Sequence, residues 1–248
     1  FGYPTGVGAL IARHAALAKL RRPWFAGGTI TITSVQGEGW HSLIPGAAGF
    51  EDGTVNYLNL PAVEIGLRHV AAIGIDAIHA RVKALTGWLL EQMTALAHSN
   101  GAPLVHIFGP TRPEARGGTI AFSLRDPAGE DFDFRRVEAA AAERLISLRT
   151  GCFCNPGDGE VAHHLGREEM ACYFTGAAPA SFYEFYDLLH VATGKTPSTI
   201  RVSLGLASNF ADVYTFTQFL HEFRDRRAAD LPWAPEPVLA AVRQRDAA

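Results

Sequence analysis

The feature that most constrains the fold of this chain is a pair of long helical patterns separated by one glycine. Apolar residues recur at helical spacing from Leu60 to Ile73, and the same periodicity resumes from Ile75 to Ser99. Asn100-Gly101 supplies a stop signal for the second helix. A glycine between two such helices favours a change of direction there, so we predict a domain boundary near Gly74.

Short extended patterns alternate with helical patterns along the rest of the chain. The predicted strands are Gly6–Ile11, Thr29–Val35, Leu104–Phe108, Gly118–Leu124, Ile146–Arg149 and Ser198–Leu204. The further predicted helices are Phe134–Leu145, Arg167–Phe174, Phe182–Ala192 and Asp212–Arg226. Alternating strands and helices predict a mixed α/β fold. We predict one domain over residues 1–73, a second over 74–227 and a tail over 228–248.

The composition excludes several function classes. The chain has 248 residues, 48% of them hydrophobic, and a formal charge of −3. That balance gives no basic surface for nucleic acid or an anionic membrane, and no apolar run reaches the roughly 18 residues of a membrane span. Three cysteines in a chain of this size do not form a disulfide framework. We therefore expect a reducing, cytoplasmic setting.

The stretch RTGCFCNPG, residues 149–157, is the first candidate site. A zinc site over Cys152, Cys154 and the His163-His164 pair lacks a second ligand pair at familiar spacing, so we predict no metal. A disulfide between cysteines one residue apart is strained. Two interpretations stay open: two small buried side chains, or a reactive thiol in an exposed loop. A thiolate requires a nearby cation, and Arg149 and the downstream histidines are candidates.

Several ordered motifs of the chain resemble one known family. They are FGYPTGVGALI at the start, Gly27-Gly28, FEDGTVN (50–56), RTGCFCNPG, HHLG (163–166) and STIRVSLGLASNFADVYTFTQFL (198–220). Together they resemble the class V aminotransferase group of fold-type I enzymes, which use pyridoxal 5′-phosphate (PLP). The closest subgroup by resemblance is the cysteine desulfurase-like domain of molybdenum cofactor sulfurases. The resemblance covers residues 1 to about 227. It implies the end of a large cofactor domain followed by a small α/β domain.

The resemblance also implies roles for individual residues. Cys154 matches the persulfide-forming cysteine, with Cys152 as the second candidate. Arg201 matches the arginine that holds the substrate α-carboxylate, a task for a bidentate and permanently charged fork. Arg149 is a further substrate-side or thiolate-side cation. The strand pattern alone also fits a solvent-facing Arg201 between inward-facing Ile200 and Val202, and that alternative stays open.

Cofactor and partner expectations follow from the same resemblance. Gly53 and Thr54 match a loop that reaches the PLP phosphate of the neighbouring subunit, although an ordinary turn remains the alternative. The PLP lysine is expected just upstream of Phe1, because Lys19, Lys83 and Lys195 lack a matching context. The expected partners are an amino acid substrate, a second copy of the chain, an upstream segment of the same enzyme and a sulfur acceptor.

Three functions remain at this point. The first is a PLP-dependent cysteine desulfurase or sulfurtransferase. The second is another class V enzyme (a transaminase, lyase or epimerase) that needs Arg201 but not Cys154. The third is a non-catalytic fragment or interaction partner without the PLP lysine. Gly159 stands where relatives in the cofactor-sulfurase subgroup often carry another cysteine, and this departure weakens the case for the same sulfur acceptor.

Overall fold

A computed structural model describes residues 6–231, apart from 23, 25–26, 152, 175–180 and 196–197. Its contacts divide the chain into two units, Phe1–Ile75 and Asp76–Ala248. The division falls beside Gly74, and the assignment of the two units to a cofactor domain and a small domain stays a prediction. Residues 232–248, most of the predicted tail, lie outside the described residues.

The helices and strands have the following bounds. The first unit contains α1 (His14–Leu17), β1 (Ile30–Thr33), β2 (His41–Leu43), a short 3-10 turn (Ala47–Phe50) and α2 (Leu60–Ile73). Then come α3 (Ile75–Ala95), β3 (Val105–Phe108), β4 (Thr119–Leu124), α4 (Phe134–Glu143), β5 (Arg149–Gly151), α5 (Pro156–Ala162), α6 (Arg167–Phe174), α7 (Phe182–Thr193), β6 (Thr199–Ser203), α8 (Phe210–His221) and a 3-10 turn (Ala228–Asp230).

The first unit contains one small sheet. Strands β1 and β2 pair antiparallel, with Ile30 opposite Leu43. The prediction of a buried strand over Gly6–Ile11 is wrong, because Leu10 and Ile11 are 89% and 96% exposed and lie in no strand. Among the described residues of this unit, the sheet contains β1 and β2, and the run is not part of it.

The second unit is organised by a four-stranded sheet in the order β3-β4-β6-β5, with antiparallel neighbours throughout. The sequence predicted a strand from Ile146, but β5 begins at Arg149. The end of α4 explains the difference. Leu145 adopts a left-handed φ of 56°, and the Ile146 N–H donates to the Ala141 carbonyl at 2.9 Å. This helix-ending motif uses the donor that a strand would need.

One face of this sheet carries the hydrophobic core. Ile200 and Val202 of β6 and Ile120 and Phe122 of β4 are all buried on that face. Helices α3, α4 and α8 supply many of its other members, among them Leu89, Leu90, Met93, Val137, Ala141, Val213, Phe216 and Leu220. Because side chains alternate along a strand, the residues between these core positions lie on the opposite face.

Helix α5 was not predicted, although its start carries a clear signal. Asn155 is the N-cap, Pro156 occupies the first turn, and the Asn155 side chain accepts a hydrogen bond from the Asp158 N–H at 3.4 Å. This pattern of Asn, Pro and an acidic third residue is typical of a helix N-terminus. The helix follows the cysteine loop directly.

Candidate active site

A cavity of about 520 Å³ lies within the second unit, bounded by residues of the sheet and of the cysteine loop and α5. The strand-side lining consists of Phe108, Gly109, Ala121, Gly151, Thr199 and Arg201. The loop and helix side consists of Phe153, Asn155, Asp158, Gly159, Val161 and Ala162. Arg201 and Asp158 are the charged residues in this lining.

Strand β6 positions Arg201 on the face opposite the core. Ile200 and Val202 on either side are 1% and 8% exposed in the core, and Arg201 is paired with Ala121 of β4, another lining residue. The alternative left open by the sequence, in which Arg201 is a solvent-facing residue, does not describe this half-buried side chain that lines a cavity. The strand alternation thus places one guanidinium beside the cavity.

The Arg201 guanidinium has an incomplete set of partners. Its Cζ lies 4.6 Å from the centroid of the Phe153 ring, a cation–π arrangement. Its Nε is buried and, within the described residues, has no hydrogen-bond partner. A buried donor left unpaired is destabilising by roughly 1–3 kcal/mol. An anionic ligand in the cavity would satisfy this donor.

Arg149 lies directly across from Arg201 in the β5–β6 pair. Opposite residues of antiparallel strands share a face, with Cβ atoms about 5 Å apart. Arg149 is exposed and is not in the cavity lining. Two guanidinium groups therefore share one row of the sheet, and only Arg201 lines the cavity.

The loop that carries the cysteines is fixed at both ends. The Gly151 N–H donates to Ser198 Oγ at 3.1 Å, and Thr199 Oγ1 donates to the Gly151 carbonyl at 3.4 Å. At the other end, Asn155 caps α5. Between these anchors, Phe153 and Cys154 have φ angles of 53° and 58°. Left-handed backbone at a residue with a side chain is unfavourable by about 1–2 kcal/mol.

This strained segment presents Cys154 to solvent. Cys154 is a free, exposed thiol. The residues on either side of it, Phe153 and Asn155, line the cavity, whereas Cys154 does not. Cys152, the second candidate for the reactive thiol, lies outside the described residues. The loop thus offers an accessible thiol one residue away from the ring that contacts Arg201.

The histidine after α5 is not the cation that the sequence suggested. Burial is the main cause that lowers the pKa of His163 to about 4, so its imidazole is neutral at pH 7. Its ring packs on Phe108, with centroids 5.1 Å apart. Partial burial also lowers the pKa of His106. The neutral His163 imidazole is therefore not a cation for the thiolate.

The lysine of this unit that lies nearest in sequence to β6 has a structural role. Lys195 Nζ donates to the His164 carbonyl at 2.6 Å and forms an ion pair with Glu169. Glu169 in turn accepts a hydrogen bond from the Gly166 N–H at 2.5 Å. These contacts join the start of α6 to the segment after α7.

Gly53 and Thr54 lie in the first unit, in an exposed turn. The Gly53 N–H already donates to the Gly27 carbonyl at 2.8 Å, and Gly28 approaches so closely that an added Cβ would lie 3.1 Å from the Gly53 carbonyl oxygen. This leaves the exposed Thr54 hydroxyl as the donor of the pair that suits a phosphate oxygen. A PLP phosphate therefore fits the Thr54 hydroxyl but not the Gly53 N–H, which is already hydrogen-bonded.

Within residues 6–231, less the gaps given above, no cluster of three or more His, Cys, Asp or Glu side chains has the arrangement of a metal site. In the same part of the chain, no helix has both the length and the apolar character needed to cross a membrane.

Comparison with known proteins identifies the family. The family model for aminotransferase class V matches residues 2–216. The chain belongs to the aminotransferase class V family. The resemblance inferred from the sequence motifs is therefore confirmed.

Curated relatives refine that assignment. The chain is 32% identical over 220 residues to the molybdenum cofactor sulfurase of Solanum lycopersicum, which covers 89% of this chain and 26% of that protein. It is 31% identical over 242 residues to the molybdenum cofactor sulfurase of Homo sapiens, with 94% and 26% covered. The chain thus spans about a quarter of the length of these relatives.

Solved structures support the fold class. A cysteine desulfurase from Thermococcus onnurineus NA1 superimposes with a TM-score of 0.57 at 20% identity, covering 85% of this chain and 41% of the other. The Escherichia coli cysteine desulfurase CsdA gives 0.58 at 16% identity, with 93% and 44% covered. The expected fold class, α/β and part of a fold-type I PLP-dependent transferase, is confirmed.

Most of the residues that line the cavity were not predicted from the sequence. Phe153, Asn155 and Asp158 were not singled out, although the helix-start pattern from Asn155 to Asp158 would have placed two of them on one turn. Phe108 and Ala121 carry no comparable signal, because they reach the cavity through the strand register opposite Arg201.

Proposed function

We propose that this chain is part of a PLP-dependent class V enzyme of the cysteine desulfurase or sulfurtransferase type. In this proposal Arg201 binds the substrate α-carboxylate and Cys154 carries the sulfur. The observation on which the proposal depends is the Arg201 guanidinium, which lines the cavity, contacts Phe153 and has a buried, unpartnered Nε. The names of the relatives support the sulfur chemistry: they include sulfurases and desulfurases.

Arg201 suits a carboxylate for chemical reasons. A guanidinium stays charged at every physiological pH and donates two parallel N–H bonds to the two oxygens of a carboxylate. The Phe153 ring holds the guanidinium plane, which reduces the rotational freedom that binding would otherwise remove. Arg149, on the same row of the sheet, adds positive potential that attracts an anionic substrate.

Cys154 suits sulfur transfer because it is exposed and lies on a strained, anchored loop. Its thiolate attacks the sulfur atom of the bound amino acid, so an S–S bond forms at Cys154 and the substrate C–S bond breaks. The electron pair of that C–S bond remains with the substrate carbon. The sulfur then leaves on Cys154 as a persulfide and passes to an acceptor.

PLP, when bound, supplies the electron sink for this bond cleavage. The Thr54 hydroxyl is the residue in this chain that we propose for its phosphate, with Gly53 shaping the turn. In the proposal, the lysine that holds PLP lies in an upstream segment, and a second copy of the chain places the Thr54 turn at the neighbouring phosphate. Lys195 is excluded from the cofactor role by its contacts with Glu169 and the His164 carbonyl.

The proposed setting is the cytoplasm, where an exposed thiol such as Cys154 persists in its reduced form. The proposed sulfur acceptor is a second protein or a cofactor. Gly159 lines the cavity, and nothing lies within 4 Å of the position that a Cβ would take there. A relative with a cysteine at this position would carry a second thiol in the cavity wall, so the route to the acceptor differs here.

One observation favours a second function. Cys154 is not in the cavity lining, whereas its neighbours on both sides are. A class V transaminase, lyase or epimerase would use the Arg201 cavity without any thiol. The third possibility, an interaction partner without catalysis, follows if no lysine-bearing segment accompanies this chain.

The experiment that tests the proposal compares three arginine variants in the PLP-loaded full-length protein. We expect Arg201→Ala to weaken the apparent affinity for cysteine roughly 10- to 100-fold, because a charged hydrogen-bond pair is lost. Arg201→Lys keeps the charge but not the fork, so it should restore only part of the affinity. Arg149→Ala is the matched control on the same row and should lower affinity by less than Arg201→Ala.

The readouts are substrate affinity and sulfide release from cysteine. An Arg201→Ala variant with the affinity of the unmodified protein would remove Arg201 from the carboxylate site. Sulfide release that persists in a Cys154→Ser variant, with Arg201 still required, would favour the class V enzyme that does not use the thiol.

A further inference from the structure

The cavity contains a second charged group whose role the carboxylate chemistry does not explain. Asp158 lines the cavity from α5, whereas Arg201 lines it from β6. Within the described residues neither side chain forms an ion pair, so the two charges do not neutralise one another directly. The cavity therefore has one cationic and one anionic contributor from separate elements.

The Asp158 carboxylate has a defined position. The Asn155 side-chain amide donates to Asp158 Oδ2 at 2.5 Å, and the Asp158 N–H donates back to Asn155 Oδ1 at 3.4 Å. Asn155 is itself the N-cap of α5 and lines the cavity. This reciprocal pair holds the carboxylate on the first turn of the helix. The negative charge is thus a fixed part of the cavity wall.

We propose that Asp158 is a specificity-determining residue that selects amino acids with an uncharged side chain and rejects those with a second carboxylate. The inference rests on the proposed function, in which Arg201 takes the α-carboxylate. A ligand held by Arg201 has one carboxylate satisfied, and any further carboxylate in the same cavity meets the like charge of Asp158. Phe108, Ala121 and Val161 complete the lining with apolar surface, which suits a short neutral side chain.

The rejected class is the dicarboxylate amino acids, whose second carboxylate is a further partner for arginine. Arg149 and Arg201 lie opposite one another, and two guanidinium groups on one row would attract a dianion. A carboxylate in the wall is a direct way to reverse that preference, because specificity is a difference between two affinities. Asp158 therefore distinguishes amino acids with an uncharged side chain from dicarboxylate amino acids, which Arg201 alone would not do.

The test uses two ligands of equal size and different charge. L-asparagine and L-aspartate differ by an amide in place of a carboxylate, so the ratio of their dissociation constants isolates the effect of charge. The readout is the Nε–Hε resonance of Arg201 in the purified protein labelled with ¹⁵N-arginine, which requires neither cofactor nor turnover. In the unmodified protein we expect aspartate to bind about three- to tenfold more weakly than asparagine, the size of effect that one unit charge exerts across a solvent-exposed cavity.

Two isosteric variants locate the effect. Asp158→Asn should bring the two dissociation constants close together. Glu160→Gln removes the same charge from α5 two residues away, at a side chain that does not line the cavity, and should keep the original ratio. Added salt should lower the ratio in the unmodified protein, since the cavity is open to screening ions. An amide spectrum of each variant checks that it folds.

Two contrary results have different meanings. If asparagine shifts the Arg201 resonance but aspartate binds equally well, or if Asp158→Asn leaves the ratio as it was, the selection by Asp158 is overturned and the carboxylate site stands. If neither amino acid shifts the resonance, the carboxylate site itself is overturned, and the selection with it.

Discussion

The two faces of the four-stranded sheet are built for different tasks. The core face carries Ile120, Phe122, Ile200 and Val202, all buried beneath α3, α4 and α8. The other face carries Arg201 with an unpartnered Nε and a loop with two left-handed residues. One face is covered by buried apolar side chains, and the other keeps a buried, unpartnered donor beside a cavity. The comparison indicates that the core stabilises a site which is itself locally unfavourable.

The largest expected effect concerns the core face. Phe122 is fully buried and its ring lies 6.0 Å from that of Phe216. Phe122→Ala should lower the free energy of unfolding by about 3–5 kcal/mol, because a large cavity replaces the ring. Urea denaturation measures this change. Thr119→Ala, at an exposed position of the same strand, serves as the control and should change the stability by less than about 1 kcal/mol.

The next effect is the pH dependence of stability from His163, on the other face. Burial lowers the folded-state pKa of His163 to about 4, below the unfolded value of 6.5. The unfolded state therefore binds the proton first as pH falls. The stability contributed by neutral His163 is complete above pH 6.5 and is lost between pH 6.5 and 4, by roughly 3 kcal/mol at most.

Denaturation at several pH values measures this slope. His163→Gln should flatten the pH dependence over that window, whereas His221→Gln, which removes an exposed histidine of α8, should not. If the stability of the unmodified protein and that of His163→Gln had the same pH dependence, the buried imidazole would not be the source of the acid sensitivity of this face.

A smaller effect compares two helix caps, one for each face. Asn209 caps α8, which packs on the core, and Asn155 caps α5, which lines the cavity. Each Asn→Ala change should lower the stability by about 1 kcal/mol, because each removes one N-cap hydrogen bond. Only Asn155→Ala should also weaken carboxylate binding. Equal binding by both variants would contradict the assignment of α5 to the site.

The smallest expected effect on stability is that of Arg201→Ala. The substitution removes the desolvation cost of a buried donor without a partner, but it also removes the favourable contact with Phe153. The two changes oppose one another, so the free energy of unfolding should shift by less than about 1 kcal/mol. Calorimetry or urea titration tests this directly. A loss as large as that of Phe122→Ala would make Arg201 a structural residue of the sheet.

The sequence predicted the strand that carries Arg201 but not its surroundings. The alternation around Ile200, Arg201 and Val202 specified two faces, but it could not say which face was covered, because that depends on the helices packed against the sheet. The alignment of Arg201 with Ala121 and Arg149 is a matter of register between distant strands. Local patterns contain no information on such register.

The histidines show a second limit. His163 follows the cysteine loop in the chain, which suggested a cation for the thiolate. Its burial against Phe108 makes it neutral instead, and burial is set by tertiary packing. Helix α5 differs, because its start is marked by a local signal in the sequence, the Asn155–Asp158 pattern.

The central proposal is that the cavity beside Arg201 binds an amino acid and that the sulfur of this amino acid is transferred to Cys154. The most direct test is to incubate the PLP-loaded full-length protein with cysteine, block the persulfides and map the added sulfur by peptide mass spectrometry. The account predicts one extra sulfur atom on Cys154, and its loss in the Arg201→Ala variant. Sulfur on Cys152 alone, or on no cysteine while the amino acid is still consumed, would contradict it.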